Sequence, residues 1–105
     1  MQYALTMLEE EYELSIKVRI PTPLQKITKS QTEILVSGQN IQELIQNMDA
    51  QHNGLKERIC DEQGNVRRFV NIYLNGEDIR FLQAEQTKLS DGDEVAIIPA
   101  IAGGC

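Results

Sequence analysis

Residues 68–81 read RFVNIYLNGEDIRF and place a tight turn between two strand-like segments. β-Branched and aromatic side chains are frequent in residues 68–75, which favours a β-strand. Asn75-Gly76 is typical of a type I′ turn, because both central positions of that turn need a positive φ. Residues 77–82, EDIRFL, are then expected to return antiparallel. The stretch therefore predicts a β-hairpin in the second half of the chain.

A further strand is predicted at the end of the chain. Residues 90–94, SDGDE, form a turn signal, and residues 94–101, EVAIIPAI, follow it as a nearly continuous apolar run. Such a run is typical of a strand that is buried on both faces. We therefore expect this last strand at the centre of a sheet.

The first half of the chain predicts two more strands. Residues 13–20, ELSIKVRI, alternate strictly between apolar and polar side chains, which indicates a half-buried strand. Pro21 and Pro23 end that strand. Residues 32–36, TEILV, follow a polar connection and predict the second strand.

One main helix is predicted after the second strand. Asn40 is a plausible N-cap, and Glu43 stands where a capping box needs its carboxylate. The Asn53-Gly54 pair supplies a stop, since glycine accepts a left-handed conformation. One apolar stripe along the helix follows the spacing i, i+3, i+4 and i+7 and consists of Ile41, Leu44, Ile45 and Met48.

The segment after the helix carries no recognisable catalytic pattern. Residues 55–59, LKERI, predict a short helical turn that buries its two apolar side chains, and residues 61–65 predict a loop. Cys60 is interpreted as a small buried hydrophobe. His52 is interpreted as a surface residue in the last turn of the helix, because no base or orienting partner accompanies it.

The element order is β-β-α-β-β-β, which predicts an α+β fold of the β-grasp (ubiquitin-like) type. In that arrangement the last strand pairs parallel with the first in a mixed sheet, and the helix covers one face. The 105 residues are enough for one small domain. We assign residues 13–101 to it, with residues 1–12 as a flexible extension and residues 102–105 as a flexible tail.

Composition argues against several classes of function. The net charge of −6 disfavours binding to nucleic acid or to an anionic membrane, since both require a basic surface. No apolar run is long enough to span a bilayer, and the N-terminus lacks a secretory leader, so a cytoplasmic location is expected. Two separated cysteines and one histidine predict no metal site. The chain also lacks the common enzyme motifs, so we expect no catalytic residues within it.

The Gly103-Gly104 pair is difficult to explain by packing. Glycine loses the most backbone entropy on ordering, although a free glycine end is also common as simple slack. Here the pair follows directly from a strand. Ala102, Gly103 and Gly104 have almost no side-chain bulk and extend at most about 10 Å beyond that strand. They are able to enter a narrow channel and deliver a carbonyl carbon to the active site of another protein.

The hairpin and the last strand with its tail, RFVNIYLNGEDIRF and DGDEVAIIPAIAGG, resemble the ubiquitin-like sulfur carriers of the MoaD/ThiS group. Within that group the chain is similar to carriers of the CysO type over about residues 13–104. The resemblance implies that an E1-like enzyme uses ATP to adenylate the carboxylate of Gly104 and that sulfur then makes it a thiocarboxylate. It implies no cofactor bound to the chain itself.

The resemblance also implies a partner-binding surface. Carriers of this group use an apolar patch on the exposed sheet face near the tail. Ile98, the residue before the proline of the tail, occupies a position that is aromatic in some relatives. Phe69 and Tyr73 are expected on the same outer face, and ordinary sheet packing is an equally weighted explanation for both.

Cys105 departs from the pattern of the group, whose directly acting members end at the second glycine. With Cys105 attached, Gly104 has no free carboxylate. One interpretation is a proprotein from which a JAMM-type zinc peptidase removes Cys105. The Gly104–Cys105 peptide bond is also the amide that forms after a thiocarboxylate has delivered sulfur to an activated serine. The same peptidase could therefore release product cysteine and remove Cys105 from the precursor. A third interpretation makes Cys105 a functional thiol that carries a persulfide or a mixed disulfide.

Several functions therefore compete at this point. The leading hypothesis is a sulfur carrier for cysteine or another thio-metabolite, with a sulfur-accepting synthase as partner and a pyridoxal-phosphate enzyme as one candidate for it. The first alternative is a ubiquitin-like protein modifier, joined to lysines through the same activated glycine. The others are a MoaD-like small subunit of molybdopterin synthase and a plain interaction domain.

Overall fold

The computed structural model describes residues 14–99. The predicted extension at 1–12 and tail at 102–105 lie outside this range. Along the described chain the strands and helices are β1 (Ile16–Arg19), β2 (Glu33–Val36), α1 (Ile41–Gln51), α2 (Leu55–Ile59), β3 (Val70–Leu74), β4 (Glu77–Asp78) and β5 (Glu94–Pro99). The first two strands are shorter than the predicted segments 13–20 and 32–36.

The strands form one mixed sheet in the order β2-β1-β5-β3-β4. β5 lies at the centre, parallel to β1 and antiparallel to β3, as predicted. The prediction that β5 is buried on both faces is wrong: Val95 and Ile97 are buried, whereas Ile98 is 48% exposed. The reason is that both helices pack on one side of the sheet. This arrangement is the β-grasp fold.

α1 begins and ends as the sequence predicts. The Asn40 side-chain oxygen accepts a hydrogen bond from the Glu43 N–H at 2.8 Å, and the Glu43 carboxylate accepts one from the Gln39 N–H at 2.7 Å. His52 is the half-buried C-cap, and Gly54 follows with φ +109°. The predicted stripe is buried against the sheet and consists of Ile41, Leu44, Ile45 and Met48.

A close backbone approach joins the end of β2 to α1. A Cβ atom placed on Gly38 would lie 2.8 Å from the Leu44 Cα and 2.9 Å from the Leu44 N. Such contacts are too short to be accommodated without moving backbone atoms. Gly38 therefore lets the helix lie tightly against the strand that precedes it.

The hairpin after β3 is shorter than predicted. Asn75 (φ 50°) and Gly76 (φ 88°) have the positive φ angles of the expected type I′ turn. The predicted return of residues 77–82 as a strand is wrong, because only β4 pairs and a 3-10 turn follows it at Ile79–Phe81. The Asp78 carboxylate accepts a hydrogen bond from the Arg80 N–H at 2.9 Å and so caps this turn.

The predicted helical turn at 55–59 is confirmed as α2, with Leu55 and Ile59 fully buried. Cys60 is a free thiol, 4% exposed, and its interpretation as a small buried hydrophobe is confirmed. Burial raises the pKa of the Cys60 thiol, and the nearby Glu85 carboxylate adds to this effect. Cys60 is therefore held in the protonated, weakly nucleophilic form.

β2 is an edge strand, and side chains of α1 cover part of that edge. The Gln51 side-chain amide donates to the Leu35 carbonyl at 3.0 Å, and the Asn47 side-chain amide donates to the Ser37 carbonyl at 2.8 Å. Two backbone acceptors along this edge are therefore already occupied.

Candidate functional site

The C-terminal end of β5 is the point from which the predicted functional tail leaves the domain. Pro99 pairs with Val70 of β3 and is the last described residue. Gly104 follows five residues later in the sequence, a separation of at most about 17 Å for an extended chain. The residues predicted to be processed or activated, Ala102, Gly103, Gly104 and Cys105, lie outside the described range.

The outer face of the sheet brings two predicted contact residues together. Tyr73 lies opposite Ala96, and Ile98 lies two residues further along β5, so Tyr73 and Ile98 are diagonal neighbours on this face. Ile98 is about half exposed and Tyr73 is half-buried. Together with Ala96 they form the apolar centre of what we call the outer patch.

Phe69 lies apart from the outer patch. It precedes β3 in a turn, outside the strand ladder, and is 46% exposed. Its side chain borders a groove of about 340 Å³ on the helix side of the sheet. The apolar lining of this groove, which we call the Phe69 groove, includes Pro23, Leu24, Ile59, Phe69, Ile97 and Pro99. The expected common face for Phe69 and Tyr73 is therefore not observed, because the chain turns before β3 begins.

An ion pair that the sequence did not predict borders the outer patch. The Arg80 Nη2 donates to the Asp78 Oδ2 at 2.7 Å and to the Asn71 Oδ1 at 2.8 Å. Asp78 is only 8% exposed. Hydrogen bonds from the Arg80 side chain and backbone lower the pKa of the Asp78 carboxyl. Because Asn71 pairs with Ile98, this Arg80 clamp fixes a polar margin next to the patch.

Exposed charges form the opposite margin. The Arg19 Nε lies 2.9 Å from a Glu94 carboxylate oxygen and 3.7 Å from one of Glu33. These side chains are between 43% and 62% exposed, so the ion pairs add little to stability. They leave an apolar centre with charged margins, an arrangement that suits a protein contact.

Residues 14–99, the part of the chain that the structure describes, offer neither a metal-binding cluster nor a membrane-spanning helix. No cluster of three or more His, Cys, Asp or Glu side chains in this range is placed to hold a metal ion. The helices of the same range are also too short or too polar to cross a membrane.

The sheet order, the packed helix and a Gly-Gly sequence beyond the central strand define a ubiquitin-like protein of the β-grasp class. The particular family follows from its sequence model: the chain belongs to the ThiS family, whose model matches residues 18–104. Gly104 is thus the last residue inside the match, and Cys105 lies beyond it.

Sequence relatives and solved structures support this assignment. The chain is 41% identical over 93 residues to the sulfur carrier protein CysO of Mycobacterium tuberculosis, covering 87% of this chain and 100% of that protein. A chain of the Amycolatopsis orientalis BexX/CysO complex superposes with a TM-score of 0.80 and 36% identity, over 85% of this chain and 99% of that one. The small archaeal modifier protein 1 of Methanosarcina acetivorans gives a TM-score of 0.75 at 28% identity, over 88% and 98%. The family and fold expected from the sequence are therefore confirmed.

Proposed function

We propose that the chain is a sulfur carrier protein that acts through a thiocarboxylate on Gly104. The observation that carries the proposal is the family match, which extends to Gly104 and no further. Relatives named as sulfur carriers align over most of the chain. A central strand that is followed, after Ala100 and Ile101, by the small residues 102–104 is a suitable support for delivering an acyl group.

The chemistry needs an activating enzyme because a carboxylate is a poor electrophile. The Gly104 carboxylate attacks the α-phosphorus of ATP and releases pyrophosphate, which gives an acyl-adenylate. A nucleophile that carries sulfur at the oxidation state of hydrosulfide then attacks the carbonyl carbon and displaces AMP. The product is an anionic thiocarboxylate, whose sulfur is nucleophilic at neutral pH. The carrier contributes reach and recognition, and the catalytic groups belong to its partners.

Cys105 has to be removed before this activation, because the peptide bond occupies the Gly104 carbonyl. We propose a JAMM-type metallopeptidase for this step and treat the chain as a proprotein. The further partners are an E1-like adenylyltransferase and a sulfur-accepting synthase, with a pyridoxal-phosphate enzyme as one candidate. The partly exposed apolar centre at Tyr73 and Ile98 is the surface on which we expect these enzymes to dock. All of these steps are assigned to the cytoplasm.

The intact mass of the protein purified from its native host tests the proposal. We expect a chain that has lost Cys105 and has exchanged one terminal oxygen for sulfur. The matched control is a variant in which Gly104 is deleted. It should show neither the loss of Cys105 nor the exchange of oxygen for sulfur. A full-length, unmodified C-terminus in cells that actively assimilate sulfur would contradict the proposal.

The similarity to a small archaeal modifier protein supports a second candidate, a protein modifier. Both functions begin with the same acyl-adenylate, and they differ in the acceptor. Lysine-linked adducts of the chain, seen on blots of its host and lost when Gly103 and Gly104 are deleted, would favour the modifier. Thiocarboxylate without such adducts would favour the carrier.

A further inference from the structure

The Phe69 groove lies beside Pro99, at the base of the tail, and has an apolar floor bordered by Glu57, Arg58 and Arg67. Leu24, Ile59 and Ile97 form this floor and are buried. Phe69 and Pro99 stand at its sides and remain partly accessible. The groove therefore offers apolar surface within a few ångströms of the last described residue.

The walls of the groove are held in place by backbone hydrogen bonds. The Val70 N–H donates to the Arg67 carbonyl at 2.9 Å, which fixes the turn that carries Phe69. Arg67 is itself tied to α2, since its N–H donates to the Ile59 carbonyl at 2.9 Å and its Nε donates to the Glu57 carbonyl at 3.1 Å. These hydrogen bonds fix the turn that forms one wall of the groove.

The alternation of β5 turns one set of its side chains toward the side on which this groove lies. Val95 and Ile97 face the helices, and Pro99, of the same parity, lines the groove, whereas Ile98 faces outward. A strand period carried on past Pro99 would put Ile101 on the same side as Pro99. Two residues span at most about 7 Å, so the groove beside Pro99 is within reach of the Ile101 side chain. Ile101 is also the only large apolar residue among residues 100–105.

We propose that the side chain of Ile101 docks in the Phe69 groove and anchors the tail to the body of the domain. Anchoring at this residue leaves Ala102, Gly103 and Gly104 as the part that extends outward, about 10 Å long. The docking is independent of sulfur chemistry. Its consequence, that the anchor sets how far the Gly104 carbonyl reaches into a partner, rests on the proposed function.

NMR of the full chain with labelled isoleucine methyl groups tests the docking. We expect cross-relaxation between the Ile101 δ1 methyl and the Phe69 ring, together with a ring-current shift of that methyl. In the Phe69→Ala variant the shift should disappear, and the amide heteronuclear NOE of Ile101 should fall to that of Gly103. The matched control is Phe81→Ala, which removes an 82% exposed ring from a different turn and should change neither signal.

The contrary result is equally distinct. An Ile101 methyl at its disordered-chain shift, without contact to the groove, would overturn the proposal if the methyls of Ile72 and Ile97 keep native dispersion. The proposal would also be overturned if Ile101 contacted the groove only after a partner enzyme had been added. Normal thiocarboxylate formation on a chain with free Ile101 would reject the docking alone. A docked Ile101 on a chain that is never adenylated would reject the carrier function alone.

Discussion

The two faces of the sheet use the same strands for different purposes. On the inner face Ile72 and Ile97 are 2% and 3% exposed and pack under the helices. On the outer face their neighbours Tyr73 and Ile98 remain accessible between charged margins. The difference shows that the two-residue period of a strand separates a buried core face from an accessible apolar face within a single segment. Substitutions on the two faces should therefore have different effects.

The largest contrast is expected between Ile72→Ala and Ile98→Ala. Removing the buried Ile72 side chain leaves a cavity under the helices and should lower the free energy of unfolding by about 2–5 kcal/mol. Ile98→Ala should cost about 1 kcal/mol or less, because the side chain is half exposed, and should weaken binding to the activating enzyme. Urea unfolding and titration with that enzyme measure the two effects. Equal destabilisation by both would remove the distinction between the faces.

Gly38→Ala should be the next most damaging change, although it adds only a methyl group. The new Cβ would lie 2.8 Å from the Leu44 Cα, so α1 has to move away from the sheet. We expect a loss of about 1–3 kcal/mol in thermal or chemical unfolding. Gly64→Ala is an informative control, because open space surrounds Gly64 and only its φ of +88° opposes the change. A Gly38→Ala protein as stable as the wild type would refute the close approach.

Asn40→Ala tests the cap of the helix that closes the inner face. The variant loses the hydrogen bond to the Glu43 N–H and should be less stable by about 1 kcal/mol. Gln46→Ala, at an exposed position within the same helix, should have almost no effect. Both values come from urea unfolding, and an unchanged midpoint for Asn40→Ala would show that the cap contributes nothing.

The smallest effect is expected at the Arg80 clamp beside the outer patch, and it depends on pH. The folded state lowers the pKa of Asp78, so the stabilisation is complete above the ordinary aspartate pKa of about 3.9 and is lost as pH falls through the lower folded value. Asp78→Asn should reduce stability at pH 7 and flatten this acid dependence. Glu62→Gln, at an exposed loop position, is the control. Identical acid profiles for Asp78→Asn and wild type would contradict the clamp.

Much of the fold could be predicted because local rules govern it. The Asn40 cap, the apolar stripe of α1 and the Asn75-Gly76 turn all depend on residues close together in sequence. The central position of β5 followed from its apolar run. Its exposed outer face did not, because a run of apolar residues does not reveal that helices cover one side only.

Features that need distant contacts were missed. The approach of Gly38 to Leu44 and the pairing of Arg80 with Asn71 become visible only when the chain is folded. The early end of β4 could have been predicted from local sequence. An aspartate such as Asp78 often caps a turn by accepting a hydrogen bond from the N–H two residues later, here that of Arg80. For the candidate site, the tail residues came from the Gly-Gly motif and the family resemblance, and the side on which Phe69 lies required the structure.

The covered edge of β2 has a consequence for how the molecule behaves at high concentration. The Gln51 and Asn47 side chains occupy carbonyls that an incoming chain would need in order to pair with β2 as an additional strand. Filament-like stacking through this border is thereby discouraged. If the chain passes among several partner enzymes, as proposed, this protection would keep it dispersed between them.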